Sequence, residues 1–289
     1  MIQELKQLLN KNIKNTRNLK SLDEDYINSR LEKYILTYGN IFKQLKQQLE
    51  KKGLENIEKS TPFKKIVKDV RDDLRIIYGS FLTKDFPKLK NQNTDLSQAN
   101  LNTLLKTHKS TKERIEYYNQ IYSQIFNWYK PHKIADLACG LNPLTYPLIE
   151  KQLTYKPKYF ASDLSKEDMN LLNNFFKNNN MDASAKDYDI TNLEILKDKD
   201  LQESDMVFLF KALDSFEYIK RNISKTILEN INAQHIVISF PTQSLIARKN
   251  FDIQKRNWIF NFINKKEWTY QTFETQNELF ILLKKTHRG

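Results

Sequence analysis

Three aspartates stand where short strand-like runs end: Asp136 in Ile134-Ala135-Asp136-Leu137, Asp163 in Tyr159-Phe160-Ala161-Ser162-Asp163, and Asp189 just before Ile190. Asp136 is followed by Ala138, Cys139 and Gly140, and Gly140 is the only glycine between Gly79 and the terminal Gly289. Strand, acid, tight turn and helix start together make the place where backbone N–H groups meet a nucleotide-like ligand. In a chain so poor in glycine, one placed there signals close backbone approach or a positive φ. Asp163, 27 residues after Asp136, is positioned to accept from both hydroxyls of a ribose. Its competing use is to cap the helix that starts near Ser165. Asp189 suits the amino group of an adenine, with Ile190 packed on the ring. Asp187 shares a strand face with Asp189 and competes for that role. A pyrophosphate needs a wide glycine-lined approach, whereas this loop is reduced to Ala138 and Gly140. The lean turn favours S-adenosylmethionine (SAM) over a dinucleotide. The absence of any P-loop sequence argues against nucleotide hydrolysis.

The elements that must position these residues show as a change of period. From residue 133 onward, strand-like runs at 133–138, 158–162, 183–188, 205–210, 234–240, 267–274 and 278–284 alternate with helices near 144–151, 165–178, 219–231 and 253–264. Such βα alternation predicts a mostly parallel sheet covered on both faces. The last two runs, joined by Thr275-Gln276-Asn277, predict a closing hairpin. The expected fold is α/β: a Rossmann-like sheet of the class I SAM methyltransferase kind behind an N-terminal all-helical domain. Residues 1–130 read as helical, with a long periodic stretch from Asp23 to Lys51 and a polar loop from Asn91 to Asn100. Thr61 at an N-cap and Pro62 at the first helical position begin one helix. A further helix is expected from Thr111 to Tyr129, capped by Ser110-Thr111. The expected division is a helical RNA-binding domain over 1–108 and a methyltransferase domain over 109–289.

Charge separates these halves. Residues 1–130 carry 25 Lys/Arg against 15 Asp/Glu, while residues 131–289 carry 22 against 20, so most of the net +12 lies in the first half. This asymmetry points to a polyanion-binding module beside a near-neutral one. Lys64, Lys68, Arg71 and Arg75 form one stripe at helical spacing, with Phe63, Ile66, Val67, Val70, Leu74 and Ile77 on a neighbouring face. That is the pattern of a docked, RNA-facing helix. The alternative is an ordinary solvated face, since Asp69, Asp72 and Asp73 lie beside it. One cysteine excludes an intrachain disulfide framework and suits a reducing cytoplasm. With four scattered histidines it also argues against a structural metal site. No apolar run reaches the length of a membrane span.

Three segments occur in order: His108-Lys109-Ser110-Thr111-Lys112-Glu113-Arg114, Asp136-Leu137-Ala138-Cys139-Gly140-Leu141-Asn142-Pro143-Leu144, and Ser239-Phe240-Pro241-Thr242-Gln243-Ser244-Leu245. Together they resemble the aminoglycoside-resistance 16S rRNA (guanine-1405 N7)-methyltransferase family, as does the closing Asn277–Lys285 segment. The resemblance implies that Arg114 binds the SAM carboxylate, with His108, Ser110 and Thr111 shaping that end of the pocket. It places Ala138 and Gly140 at the methionine part, Asp163 at the ribose, and Asp189 and Ile190 at the adenine, with Asp136, Asn142 and Leu164 also expected among the cofactor-binding residues. Lys211 matches a family lysine beside the target site. In a mechanism that flips the base, Phe240 is the candidate to stack on it and Lys211 to fix its edge, the alternatives being a core Phe240 and a snorkelling Lys211. Lys64, Lys68, Arg71, Arg75, Arg248 and Lys249 are the expected RNA contacts, and the 30S subunit with its 16S rRNA the expected partner. The chain departs from the family at Ala212-Leu213-Asp214-Ser215 and in the glycine-free loop Ile246–Phe251. A different RNA base such as adenine N1, a different RNA, or a non-catalytic RNA-binding role remain the alternatives.

Overall fold

The computed structural model describes residues 1–16, 19–78, 98–242 and 256–286. Its centre is a seven-stranded sheet: β1 (Lys133–Leu137), β2 (Lys158–Asp163), β3 (Ala183–Asp187), β4 (Met206–Phe210), β5 (His235–Pro241), β6 (Thr269–Thr275) and β7 (Glu278–Lys284). The strand order is β3-β2-β1-β4-β5-β7-β6. β1 to β5 are parallel, and β7 runs antiparallel to both β5 and β6. All seven expected runs therefore form strands, within two residues at each end. The C-terminal ends of β1, β2 and β4 open on one edge of the sheet, where the chain order reverses between β1 and β4, the usual ligand position in such sheets.

Period-2 alternation assigns each strand residue to one of two cores. Ile134, Tyr159, Phe208, Phe210, Val237 and Phe280 join one cluster with the N-terminal helices. Ala135, Leu137, Phe160, Val207, Leu209, Ile238 and Phe240 join the other.

Four helices precede the sheet as a bundle: α1 (Ile2–Lys14), α2 (Glu24–Thr37), α3 (Gly39–Asn56) and α4 (Thr61–Ile77). The stretch expected as one helix from Asp23 to Lys51 is two, broken at Tyr38, where an aromatic and a glycine of low helix propensity meet. Ser60, not Thr61, is the N-cap of α4, so Pro62 falls one position deeper in the first turn. Two polar pairs tie α4 to α2: Arg30 to Asp73 at 2.6 Å, and the Tyr34 hydroxyl to Asp69 at 2.6 Å. The bundle and one sheet face share a continuous apolar core, from Leu5, Ile27 and Leu74 through Tyr118 and Tyr122 to Phe208 and Phe280.

The connecting helices are α5 (Gln98–Leu105), α6 (Lys109–Arg114), α7 (Tyr118–Trp128), α8 (Tyr146–Leu153), α9 (Lys166–Asn178), α10 (Lys199–Gln202), α11 (Leu213–Ile219), α12 (Ile223–Asn230) and α13 (Asn257–Lys265). The expected helix over 111–129 splits into α6 and α7, and α6 begins earlier, with His108 rather than Ser110 at its N-cap. The one expected over 219–231 is shorter: α12 starts only at Ile223, because Asn222 before it takes a left-handed conformation with φ of 63°, and α11 over Leu213–Ile219 was not expected. Of the expected polar loop, residues 91–97 lie outside the described residues, and Gln98 onward is already helical. Among the described residues no helix is long and apolar enough to cross a membrane.

Candidate active site

A cleft of about 760 Å³ opens at the C-terminal ends of β1, β2 and β4. It is lined by His108, Ser110, Ala138, Gly140, Asp163, Leu164, Asp189, Ile190 and Lys211, all singled out in the sequence, and by α4 and α11.

The turn after β1 is built for close approach. Gly140 has φ of 53°, and a Cβ there would lie 2.8 Å from the His108 ring. Gly140 is thus required twice, by its backbone and by its neighbour. Ala138 and Lys211 also take positive φ, 52° and 55°, at the ends of β1 and β4. Non-glycine residues in that region cost roughly 1–3 kcal/mol each, and such strain clusters at functional sites. The Asp163 carboxylate accepts the Gly140 N–H at 2.7 Å and the Leu164 N–H at 2.6 Å. Burial pushes its pKa up to about 6 against the pull of those two bonds. The cap of α9 is Ser165, which accepts from the Asp168 N–H at 3.2 Å. Asp163 is thereby released from the capping role that competed for it. Asp189 lines the cleft and accepts both donors of Thr191, whereas Asp187 is exposed outside it. His108 shares a hydrogen with the Ser110 hydroxyl at 2.8 Å. Burial, then Arg114 and Lys211, lower its pKa to about 3, so the ring is neutral at pH 7.

Several expected cofactor residues sit beneath the cleft rather than in it. Asp136 is fully buried and accepts from Asn142 at 2.8 Å and from the Tyr159 hydroxyl at 2.7 Å, which ties the turn to β2. Burial raises its pKa to about 6 despite those bonds. Asn142 donates its amide to that tie, while its Oδ1 has no hydrogen-bond partner among the described residues. The Thr111 hydroxyl donates to the carbonyls of Leu105 and His108 and holds the α5–α6 corner.

Arg114 differs most from its expected role. Its guanidinium donates to Glu278 three times, at 2.8–3.1 Å, and both side chains are almost wholly buried. Glu278 also accepts from Ser239 and lies 3.4 Å from the Lys211 ammonium, whose other partner is Glu113 at 2.5 Å. Burial alone would raise the Glu278 pKa, but Arg114 and Lys211 hold it below its usual value. Sequence reasoning missed Glu278 as a site residue. The one signal was a lone acid heading the apolar strand Glu278–Lys284, since a buried charge needs a partner. That partner lies 164 residues away.

Phe240 is not a stacking surface in this arrangement. It is 1% exposed and faces the second core, with the Arg256 guanidinium 4.6 Å from its ring. Strand parity decides this, because Ser239 takes the face shared with Glu278 and the cleft side.

On α4, Lys64, Lys68 and Arg75 are exposed and line a shallow groove with Lys59. Arg75 pairs with Asp72 at 3.1 Å. Arg71 is half-buried and donates to the carbonyls of Asn12, Ile13 and Asn15, so it caps the end of α1 rather than facing outward. Arg248, Lys249 and the loop Ile246–Phe251 lie outside the described residues. Among the described residues, no group of His, Cys, Asp and Glu is arranged to hold a metal ion.

A parallel sheet closed by an antiparallel hairpin, with acids at the ends of β2 and β3 and a strained turn after β1, is the architecture of a class I SAM-dependent methyltransferase. The chain matches the Ribosomal RNA methyltransferase (FmrO) family over residues 64–283 and belongs to that family. It is similar to a 16S rRNA (guanine(1405)-N(7))-methyltransferase of Frankia casuarinae, at 24% identity over 261 residues, covering 86% of this chain and 89% of the other. A protein of the same name from Micromonospora echinospora is 28% identical over 232 residues, covering 76% and 82%. In fold the chain is similar to the 16S rRNA methyltransferase RmtF, solved with S-adenosyl-L-homocysteine. That likeness has a TM-score of 0.72 at 20% identity and covers 98% of this chain and 99% of the other.

Proposed function

We propose that this protein transfers the methyl group of SAM to N7 of a guanine in the decoding-site helix of 16S rRNA, on the assembled 30S subunit in the cytoplasm. Aminoglycoside resistance is the expected consequence. The observation that carries the reading is one cleft in which Asp163, Asp189 and the Gly140 turn converge beside Lys211, in a chain of the ribosomal RNA methyltransferase family. The cleft residues fit SAM. In this reading Asp163 accepts from the ribose and Asp189 and Ile190 meet the adenine, which their positions along the cleft support, and Gly140, without a Cβ against the His108 ring, leaves room for the amino-acid part. Bound SAM supplies an electrophilic methyl group on a sulfonium.

Guanine N7 carries a free lone pair at neutral pH, so the protein needs to align the nucleophile rather than remove a proton. His108, its pKa lowered to about 3 by burial, is too weak a base to take a proton, and none needs to be taken. The product base is a cation, and positive charge moves toward it during transfer. Lys211 borders the cleft, but Glu113 and Glu278 neutralise its ammonium, which removes an opposing charge. A paired guanine must leave its helix to enter, at a few kcal/mol.

Incubating 30S subunits with the protein and SAM, then mapping the modified base by mass spectrometry, is expected to give 7-methylguanine at one decoding-site position. Methylation of an adenine, or no transfer to 30S at all, overturns the reading. Replacing Lys64 and Lys68 together by alanine is expected to weaken 30S binding and lower its salt slope by about 1 for each phosphate no longer neutralised. Affinity for S-adenosylhomocysteine without RNA should not change. Filter binding at several salt concentrations checks this. An unaltered slope places the RNA-binding surface elsewhere.

A further inference from the structure

The basic-striped helix α4 reaches the cofactor cleft. Ile77, its last residue, and Tyr78, its C-cap, line that cleft together with Asp168 and Asp163. Tyr78 is 6% exposed, and its hydroxyl donates to the Asp168 carboxylate at 2.5 Å. Ser21 shares the same hydroxyl at 2.9 Å. Ser165, the N-cap of α9, donates back to the Ser21 carbonyl at 3.2 Å. Two residues of the helical unit and two at the start of α9 thus form a buried polar cross-link at the cleft wall. Burial and the Asp168 charge hold the Tyr78 phenol above its usual pKa, so it remains a donor. On α2, Tyr26 is 9% exposed, and its hydroxyl has no hydrogen-bond partner among the described residues. Its surroundings include the charges of Asp189 and Asp163, the two acids placed for the nucleoside.

We propose that the N-terminal helical unit completes the cofactor site. In this arrangement Ile77 and Tyr78 form one wall, and the Tyr78–Asp168 hydrogen bond sets α4 in the position that cofactor binding requires. This rests on the SAM and RNA reading above. The same helix carries Lys64 and Lys68 toward RNA, so the two ligands act on one element. Coupling of that kind is reciprocal: each ligand raises the affinity for the other by the same factor. Tyr78 is a positioning residue here. Without its hydroxyl, the buried Asp168 carboxylate loses a partner, and the fraction of molecules with α4 in the binding-competent position falls. The apparent Kd rises in inverse proportion to that fraction.

Calorimetry with S-adenosylhomocysteine tests this on the full chain, with and without saturating 30S subunits. Y78F is expected to raise the Kd about five- to tenfold, with S21A giving a smaller rise of about twofold and an unchanged melting temperature. Docking on 30S should narrow the gap between Y78F and wild type, because RNA then holds α4 in place. Equal Kd values for wild type, Y78F and S21A overturn the positioning role of the Tyr78–Asp168 hydrogen bond. A gap that 30S leaves unchanged overturns the coupling. Failure of wild type itself to bind S-adenosylhomocysteine overturns the SAM reading instead.

Discussion

Replacing Glu278 by alanine is expected to cost more stability than any other single substitution at the cleft, about 3–5 kcal/mol. The variant leaves the Arg114 guanidinium buried without the carboxylate that accepts three of its hydrogen bonds. Lys211, 1% exposed, keeps only Glu113. An uncompensated buried cation is far more costly than the intact pair is favourable, because desolvation is no longer offset. A domain of this kind has about 5–15 kcal/mol in total, so the loss takes much of it. Urea unfolding of wild type, E278A and E278Q checks the size. E278Q keeps an acceptor for Arg114 and for Ser239, and is expected to fall between the two. A loss below about 1 kcal/mol for E278A would show that the Arg114–Glu278 pair does not hold β7 to α6 as described.

Replacing Asp163 by alanine is expected to weaken S-adenosylhomocysteine binding by about 100-fold or more. It removes a charged acceptor for two ribose hydroxyls, each such bond contributing about 1.5–3 kcal/mol. It also frees the Gly140 N–H that the carboxylate fixes at 2.7 Å. The pH dependence carries a sign. With the Asp163 pKa raised to about 6, the carboxyl is mostly protonated at pH 5 and mostly ionised at pH 7. The ionised form accepts both hydroxyls, so affinity should rise as pH increases through about 6, and D163N should lose that inflection. Stability of the free protein moves the other way. The folded pKa lies above the unfolded value of 3.8, so the Asp163 contribution is present below pH 3.8 and lost as pH rises through about 6. Asp136 adds to the same trend. Calorimetry and thermal melting across pH 5–8 read the two effects separately. A pH-independent Kd for wild type would place the ribose away from Asp163.

Much of the cleft was legible because strand ends announce themselves locally. Alternation and length marked the seven strands, and an acid or glycine at or just past a strand end marked Asp163, Asp189 and Gly140, which line the cleft. Residues inside or beneath the strands were harder to place. Asp136 has the same residue type as Asp163, yet it points into the core and ties Asn142 and Tyr159 to the turn. Lys64 and Arg71 belong to one stripe by spacing, yet Arg71 meets the carbonyl end of α1, a partner more than 50 residues earlier. Asp69 and Asp73, which weakened the case for that stripe, turn inward to Tyr34 and Arg30.

By itself the sequence determined the sheet, its closing hairpin, the helical first half with its charge, and the turn at Gly140. These follow from periodicity, propensity and composition, which act between near neighbours in the chain. Only the tertiary structure decided that Arg114 meets Glu278, that Phe240 faces the core away from the cleft, and that Tyr78 meets Asp168 at the cleft wall. The physical reason is that a buried charge or hydroxyl must find its partner in space. Those partners lie 90 to 164 residues apart along the chain, beyond the reach of any local pattern.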